Sequence, residues 1–376
     1  MREYLLILAV ATGTTYLLAT VARELAVRMG ALAQVRDRDV HAVPIPYFGG
    51  LAILGGLAAA MLLAQQLPFL GSSQDQVFHD VRAVLLGGLV ICAVGVVDDL
   101  YELDALTKLA GQVLAAGLVV VQGVQLYWLP LPGATSTTTF VFDGSQAAIL
   151  TVLLIVVTVN AVNFVDGLDG AAVGVVGIGA VAFFSFAFLL AFENQLTRVT
   201  TAALLTAALT GACLGFWPHN FFPARMFMGD SGSMLIGLVL ACSAISLTGQ
   251  FNPADVSEGV GNASASLLPA LLPLILPIAV LIVPFLDMLL AVVRRTRAGR
   301  SPFAPDKQHL HHRLLEIGHS HRRAVLVMYL WAALVAFGAV VVSLATGRLA
   351  LIGTGVALLV AVLVTFGLPG RRRGLP

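Results

Sequence analysis

The segment TVLLIVVTVNAVNFVDGLDG, residues 151–170, shows the feature that decides the fold, an apolar run that ends in regularly spaced polar residues. The polar residues stand at every third position: Asn160, Asn163, Asp166 and Asp169. Side chains three apart lie on one side of a helix, and glycine relaxes the backbone. We therefore predict an apolar helix with both asparagines on one side of its last turns. The two aspartates and two glycines form the turn beyond it.

The composition is that of a membrane protein. Of 376 residues, 59% are hydrophobic and 11% are charged, whereas a soluble domain carries roughly 25% charged residues. A membrane span needs about 20 mostly apolar residues. Eleven segments qualify, at 4–22, 49–67, 83–97, 107–123, 147–163, 171–192, 198–217, 234–249, 266–290, 324–346 and 349–367. We predict an all-α, polytopic membrane helical bundle that forms one integral membrane domain over residues 1–376.

The positive charges predict an orientation for the bundle. Four arginines follow the first apolar segment, and positive charge flanks the cytosolic end of a span. We therefore interpret that segment as a retained span, although a signal peptide is the alternative. The N-terminus then lies outside and the C-terminal GRRRGLP lies in the cytosol. This map leaves 17 of the 21 Lys and Arg residues inside and four outside: Arg2, Arg82, Arg198 and Arg348.

Two features exclude other classes of site. The three cysteines, Cys92, Cys213 and Cys242, all lie within apolar segments and follow no metal or redox spacing. A net charge of +1 gives no hint of nucleic-acid binding.

Four polar clusters fall at the cytosolic ends of the predicted spans. They are Asp98 and Asp99 after the third span, Asp166 and Asp169 after the fifth, Asp230 at the start of the eighth, and His309, His311 and His312 after the ninth. A charge inside hydrocarbon is costly, so helix ends are where a membrane protein keeps a polar site. We interpret the four clusters as one shared site built from cytosolic loops.

Each cluster also has a purely structural interpretation. Polar residues at helix ends serve as caps or interfacial anchors. Asp230 can be an N-cap, and Asp98 and Asp99 point roughly 100° apart on a helix. The histidines can belong to a solvated basic loop or to a zinc site, although the usual zinc spacings are absent.

Taken together, the clusters indicate phosphoryl transfer with Mg²⁺. This ion prefers oxygen ligands and typically binds one or two carboxylates plus substrate phosphates. The motif GDSGS, residues 229–233, offers backbone N–H groups at a helix start, a natural anion site. The histidines and Arg313 can neutralise a diphosphate, and Lys108 offers an ammonium group for phosphate.

The same motifs carry a resemblance to a known family. HAVPIPYFGGLAI, DDLYEL, NAVNFVDGLDG, FMGDSGS and SPFAPDKQHLHHRL occur in the order typical of the polyprenyl-phosphate N-acetylhexosamine-1-phosphate transferases, within the glycosyltransferase 4 family. The resemblance runs from about Arg36 to Leu314. It implies transfer of a sugar 1-phosphate from a UDP-sugar to a polyprenyl phosphate, with Mg²⁺ or Mn²⁺, at the cytoplasmic membrane of a bacterium. The products are a lipid diphosphate sugar and UMP.

The resemblance also implies roles for individual residues. By the family's pattern Asp230 is the principal metal ligand with Asn163 nearby. Asp98 and Asp99 serve the lipid phosphate and the reaction, together with His311 and His312. The predicted substrate-binding residues are Asp166, Asp169, Asn160, Phe227, His309, Arg313 and Lys108, with Phe227 stacking on uracil.

The motif details resemble the N-acetylglucosamine branch of this family. HLHHRL and DDLYE are typical of that branch, whereas enzymes that form lipid I usually have a lysine where Glu102 stands and three adjacent histidines. Leu310 interrupts the histidine run here. The alternatives are a lipid I-forming transferase and, from another class, a membrane transporter. One-step and covalent two-step transfer both stay open, as does a homodimer.

Overall fold

The computed structural model describes residues 1–33, 43–71, 75–131, 138–194, 200–250, 267–280, 320–344 and 348–367, with a few isolated positions between 282 and 299. These ranges are mostly helical. The helices are α1 (Arg2–Met29), α2 (Gly49–Ala64), α3 (Pro68–Gly71), α4 (Asp75–Tyr101), α5 (Ala105–Val121), α6 (Gly144–Val165), α7 (Ala171–Asn194), α8 (Thr200–Asn220), α9 (Gly229–Gln250), α10 (Leu267–Val280), α11 (His321–Leu344) and α12 (Arg348–Gly367).

Two small antiparallel hairpins accompany the helices in the described ranges. Strand β1 (Leu32–Ala33) pairs with β2 (Ile45–Pro46), and β3 (Trp128–Leu131) pairs with β4 (Thr138–Val141). In the second hairpin Trp128 lies opposite Val141. Both hairpins lie between helices, and Trp128 and Leu129 of β3 pack against the core.

The described helices agree with the predicted class of fold. Seven of them are long and apolar enough to cross a membrane: α1, α4, α6, α7, α8, α9 and α11. Helices α2, α5 and α12 contain shorter apolar stretches, and each of the eleven predicted segments overlaps one described helix. The chain is therefore a multi-pass, mostly helical membrane protein, whereas the number of spans and their orientation stay predictions.

Helix α9 forms the centre of the bundle. It packs against α2, α4, α6, α7, α8 and α10, and its membrane-spanning stretch is buried along its whole length. Glycines allow its first turn to approach two neighbours closely. A Cβ on Gly50 of α2 would lie 2.3 Å from the carbonyl carbon of Ser231. A Cβ on Gly95 of α4 would lie 2.3 Å from the Cα of the same Ser231. The start of α9 is thus set between α2 and α4.

Candidate active site

Four helix ends meet at one end of the bundle, which we call the site end. These are the last turns of α4 and α6 and the first turns of α5 and α9. Asp98, Asp99 and Asp230 each direct a carboxylate oxygen into this junction, and the three oxygens lie within 4.8 Å of one another. The end of α4 therefore brings both adjacent aspartates to one place, despite their different directions around the helix.

Both oxygens of Asp230 are held by side chains from other helices. The Lys108 ammonium group, from the first turn of α5, donates to Oδ2, and the Asn163 amide of α6 donates to Oδ1 at 2.9 Å. Lys108 Nζ also lies 2.9 Å from Asp98 Oδ2, while the Asn163 amide reaches Ser233 Oγ at 2.9 Å. Lys108 thus links two carboxylates, and Asn163 ties α6 to α9.

Asp99 caps the start of α9 from a different helix. Its Oδ1 accepts the backbone N–H of Asp230 at 2.8 Å, and its Oδ2 accepts that of Ser231 at 3.4 Å. The close approach requires Gly229, which has φ 69° and whose Cβ would lie 2.4 Å from Asp99 Oδ2. Since α9 begins at Gly229, Asp230 lies inside the first turn and does not serve as the N-cap.

The turn after α6 carries two aspartates in different situations. Asp169 is 6% exposed, and its Oδ2 accepts the backbone N–H of Ala224 at 2.9 Å, so it holds the α8–α9 loop. Among the residues that the structure describes, none donates a hydrogen bond to the carboxylate of Asp166. Desolvation and the nearby carboxylates of Asp230, Asp99 and Asp169 raise the pKa of Asp166 well above its usual range. Asp166 is the group best placed to gain from a bound cation.

Both backbone groups at the last glycine of this turn have partners. The N–H of Gly170, which has φ 79°, donates to Asn220 Oδ1 at 3.1 Å, and its carbonyl accepts the hydroxyl of Tyr329. Trp217 Nε1 donates in turn to the Tyr329 oxygen at 3.0 Å. Helices α8 and α11 therefore support the acidic turn. The sequence offered no signal for this contact, because α11 lies far along the chain.

Gln112 is a polar residue of the site end that the motifs did not reveal. It lies in α5, is 2% exposed, and accepts the Asn160 amide at 2.6 Å. Asn160, predicted to bind substrate, thus pairs with a neighbouring helix one turn deeper than Asn163. The signal was a lone glutamine four residues after Lys108 in an apolar segment, since residues four apart share a helix face.

Phe227 lies in the loop that leads into α9. Its backbone N–H donates to Pro46 O at 2.9 Å, and its carbonyl accepts the N–H of Gly49 at 3.3 Å. Its ring centroid lies 6.0 Å from that of Tyr47 at an interplanar angle of 46°. The loop is therefore docked on the segment that precedes α2. The remaining predicted site residues, His309, His311, His312 and Arg313, lie outside the described residues.

The donor set fits a divalent metal ion with hard oxygen ligands. Ligand oxygens on one Mg²⁺ lie about 2.0–2.1 Å from the metal, hence roughly 3–4 Å apart. The oxygens of Asp98, Asp99 and Asp230 lie within 4.8 Å of one another, which leaves room for one shared ion, and the charges of Asp99 and Asp230 act on the Asp166 carboxylate. Among the described residues, the group of possible ligands at this junction consists of these three aspartates and contains no cysteine.

Comparison with known proteins agrees with this geometry. Residues 81–248 match the family model described as Glycosyl transferase family 4. The decaprenyl-phosphate N-acetylglucosaminephosphotransferase of Mycolicibacterium smegmatis is 46% identical, covering 100% of this chain and 90% of that protein. The protein of the same name from Mycobacterium tuberculosis is 45% identical over 90% of this chain and 82% of its own length.

A more distant relative shows the same pattern. The undecaprenyl-phosphate alpha-N-acetylglucosaminyl 1-phosphate transferase of Yersinia pestis is 27% identical over 84% of this chain and 78% of its own length. The family model spans the three clustered aspartates, and the similarity to the mycobacterial proteins extends over nearly the whole chain. The chain therefore belongs to glycosyl transferase family 4.

Proposed function

We propose that this protein transfers N-acetylglucosamine 1-phosphate from UDP-N-acetylglucosamine to a polyprenyl phosphate in the membrane. The products are a polyprenyl diphosphate sugar and UMP, and the reaction is the first membrane step of a cell-envelope polysaccharide pathway. The observation that carries the proposal is the cluster of Asp98, Asp99 and Asp230 with Lys108 where four helices end. Relatives named for this reaction match nearly the whole chain.

The site end would face the cytosol of a bacterium, with about eleven spans in the cytoplasmic membrane and the N-terminus outside. The predicted division of basic residues supports this orientation. Arg23 and Arg322, which belong to α1 and α11, both contact the α8–α9 loop through the carbonyls of Arg225 and Phe222. A water-soluble nucleotide sugar could then reach the site directly, while the acceptor lipid enters from the bilayer.

The metal we propose is Mg²⁺ or Mn²⁺, held by Asp230 and Asp98, with Asn163 and Asp166 nearby. Bound there, the ion would neutralise phosphate charge and align the two phosphate groups. Asp99 holds the start of α9, so that Asp230 stays directed at the metal position. Lys108 supplies a fixed positive charge beside the same oxygens, where it can also bind the acceptor phosphate.

The bond changes are simple. An oxygen of the acceptor phosphate attacks the β-phosphorus of the donor, and the bond from this phosphorus to the bridging oxygen breaks, so that UMP leaves. The second pKa of a phosphate monoester lies near 6, so the attacking oxygen is already ionised. The main task is to bring anions together, which preorganised charges accomplish. A two-step route through an aspartyl intermediate would use the same residues.

The nucleotide side would be formed by the acidic turn and the α8–α9 loop. Asp169 acts there by holding that loop through Ala224, and the loop carries Phe227. The Phe227 ring, docked near Tyr47, is our proposed stacking surface for uracil. We propose that His309, His311, His312 and Arg313 contact the diphosphate and the sugar.

Purified protein tests the proposal directly. It is incubated with Mg²⁺, a panel of UDP-sugars, and short or long polyprenyl phosphates, and both UMP and the lipid product are measured. We expect UMP release with UDP-N-acetylglucosamine and none with the muramyl-pentapeptide donor of lipid I synthesis. Efficient use of the peptide donor would instead identify a lipid I-forming enzyme. Failure to release UMP with any donor would reject the transferase.

Orientation is tested by cysteine labelling of intact cells. Ser145 and Glu102 are exposed residues at opposite ends of the bundle, and the three native cysteines are buried. A membrane-impermeant thiol reagent should label Ser145→Cys in intact cells and Glu102→Cys after permeabilisation. The reverse pattern contradicts the proposed orientation.

A further inference from the structure

We infer that the buried Gln112 and the half-buried Asn160 form an amide clasp that positions Lys108 and Asn163 around Asp230; this inference rests on the proposed function. The two amides bond reciprocally between α5 and α6. Asn160 Nδ2 donates to Gln112 Oε1 at 2.6 Å, and Gln112 Nε2 donates to Asn160 Oδ1 at 3.4 Å. Gln112 is therefore a positioning residue for the transfer reaction, and Asn160 is its partner.

The clasp lies directly below the contacts of Asp230. Lys108 and Gln112 are four residues apart on α5, and Asn160 and Asn163 are three apart on α6, so each pair shares one helix face. In the outer layer Lys108 and Asn163 hold the two oxygens of Asp230. In the inner layer Gln112 and Asn160 bond each other. Any sliding or rotation of α5 against α6 would break the inner pair and separate the outer donors.

The polar atoms of the clasp have partners. Asn160 Nδ2 also donates to the Val156 carbonyl at 2.8 Å, and Gln112 Nε2 also contacts Met234 Sδ of α9 at 3.4 Å. Gln112 is 2% exposed. These bonds leave the Gln112 amide directed at other helices, so the pair acts on substrate through the residues it aligns. The contact with Met234 connects the clasp to the helix that carries Asp230.

Physical reasoning explains why amides and not apolar side chains occupy these positions. An apolar pair packs in several registers, whereas a reciprocal amide pair has one good geometry. A buried amide left without a partner costs free energy. Hydrogen bonds between membrane helices are modest in strength, but they are directional. The clasp thus contributes mainly to register, which a site needs when misplacement by 1 Å can cost about 100-fold in rate.

The test uses variants that keep volume and remove hydrogen bonding. These are Gln112→Met, Asn160→Leu and the double variant, with Gln125→Met as the matched control. Gln125 also donates its amide, to the Val120 carbonyl at 2.9 Å, but it lies in the segment after α5, beyond the helix end that is remote from Lys108. Each full-length protein is purified in detergent. Three quantities are measured: thermal stability, kcat with UDP-N-acetylglucosamine, and the Mg²⁺ concentration that gives half-maximal thermal stabilisation.

Each single variant should be less stable than the unsubstituted protein, and Asn160→Leu more so, because it leaves the buried Gln112 amide without its partner, whereas Asn160 is half-buried and keeps its bond to Val156. The double variant should regain most of that stability, yet keep kcat reduced by about 10-fold or more and require several-fold more Mg²⁺. The control variant, Gln125→Met, should change neither kcat nor the Mg²⁺ requirement. A structural role alone predicts that kcat and the Mg²⁺ requirement recover with stability in the double variant, and that result would overturn the inference.

The outcomes separate this inference from the proposed function. If the unsubstituted protein releases no UMP, the proposed function fails, while the Mg²⁺ requirement of the variants still tests the clasp. If the unsubstituted protein is active and the double variant matches it in both kcat and Mg²⁺ requirement, the clasp is rejected alone. Absence of any Mg²⁺-dependent stabilisation in the unsubstituted protein contradicts the proposed metal site, and kcat of the double variant then decides on the clasp.

Discussion

Helices α6 and α9 both begin beside an aspartate, but the two aspartates do different things. Asp143 caps its own helix: its side chain accepts the Gln146 N–H at 2.8 Å, and the Gln146 side chain accepts the Asp143 N–H at 3.3 Å. At α9 the cap is the carboxylate of Asp99, 131 residues away in sequence. Asp230, the aspartate of that first turn, is held instead by Lys108 and Asn163.

The difference shows that capping a helix and holding a carboxylate at the site end are tasks of different aspartates at the start of α9. A capping box satisfies a helix start within four residues, and its aspartate is then fully engaged. When the cap comes from another helix, the local aspartate keeps its carboxylate for other partners. Asp99 also places negative charge at the positive end of the α9 dipole. Because Asp99 caps α9, the site end can hold several carboxylates near the start of that helix. Without this cap, α9 would need Asp230 or another local side chain as its cap.

Asp230→Asn should give the largest difference in activity between a substitution at the start of α9 and one at the start of α6. An asparagine keeps the shape and one of the two accepting oxygens that Lys108 and Asn163 use, but it removes the negative charge that we propose for the metal. We expect activity to fall by about 100-fold or more, on the scale of one major electrostatic stabiliser, while the protein folds and inserts normally. UMP release at several Mg²⁺ concentrations measures this, and raised Mg²⁺ should recover part of the loss.

Near-normal turnover of well-folded Asp230→Asn protein at low Mg²⁺ would reduce Asp230 to a structural residue. The matched substitution at the other helix start is Asp143→Asn. It lies outside the site and should keep full activity.

Asp99→Asn tests whether the cap is the main role of Asp99. The new amide oxygen can still accept the Asp230 N–H, so part of the cap survives, whereas the charge at the helix start is lost. We expect about a 10-fold loss of activity with a small loss of thermal stability. If Asp99→Asn loses as much activity as Asp230→Asn, then Asp99 acts directly on metal or substrate. Capping α9 would then not be its main role.

Gly95→Ala tests the close packing that allows a cap between helices. Its new methyl group would lie 2.3 Å from the Ser231 Cα and must push α4 away from α9. Overpacking of this kind typically costs about 1–3 kcal/mol, and activity should fall several-fold because Asp99 moves with α4. Gly117→Ala is the control, since nothing lies within 4 Å of that position. Equal behaviour of both variants in thermal unfolding and in UMP release would contradict the packing account.

Asp143→Ala should have the smallest effect. It removes a cap at the end of α6 remote from the three clustered aspartates, which costs about 1 kcal/mol of folding stability. UMP release should stay within about twofold of the unsubstituted protein, because the contacts of Asn163 at the other end of α6 are untouched. A large loss of activity with unchanged stability would show that the two ends of α6 are coupled.

Much of the fold was predictable because a membrane restricts what a chain can do. Apolar segments must be helical in lipid, since every backbone group needs an internal partner. The acidic clusters were equally visible, because charges are costly except at helix ends. Two motifs far apart in sequence meet in the structure, since the oxygens of Asp98, Asp99 and Asp230 lie within 4.8 Å of one another, whereas the roles of these residues stay predictions. The histidine cluster lies outside the described residues, so its place in the site stays a prediction.

Other parts of the site were not predictable from motifs. Asn160 is predicted to bind substrate and that role stays a prediction, while the structure shows its amide bonded to Gln112, 48 residues away in sequence. Asp169 was placed on the nucleotide side, and its carboxylate holds the backbone of Ala224. In each case the residue type was right for a polar site. The hydrogen-bond partner of such a residue depends on which helix or loop lies opposite and how far along its axis that element is shifted. The spacing of residues within one helix does not give this information.

The sequence by itself determined that this is a multi-helix membrane protein with an acidic site at helix ends, because hydrophobicity and the cost of buried charge are properties of composition and order. Only the tertiary structure decided how the acids divide their tasks. Asp99 reaches the α9 backbone because Gly95 and Gly229 let two helices approach within hydrogen-bonding distance. Hydrogen bonds between helices depend on distances of a few tenths of an ångström, and packing sets these distances.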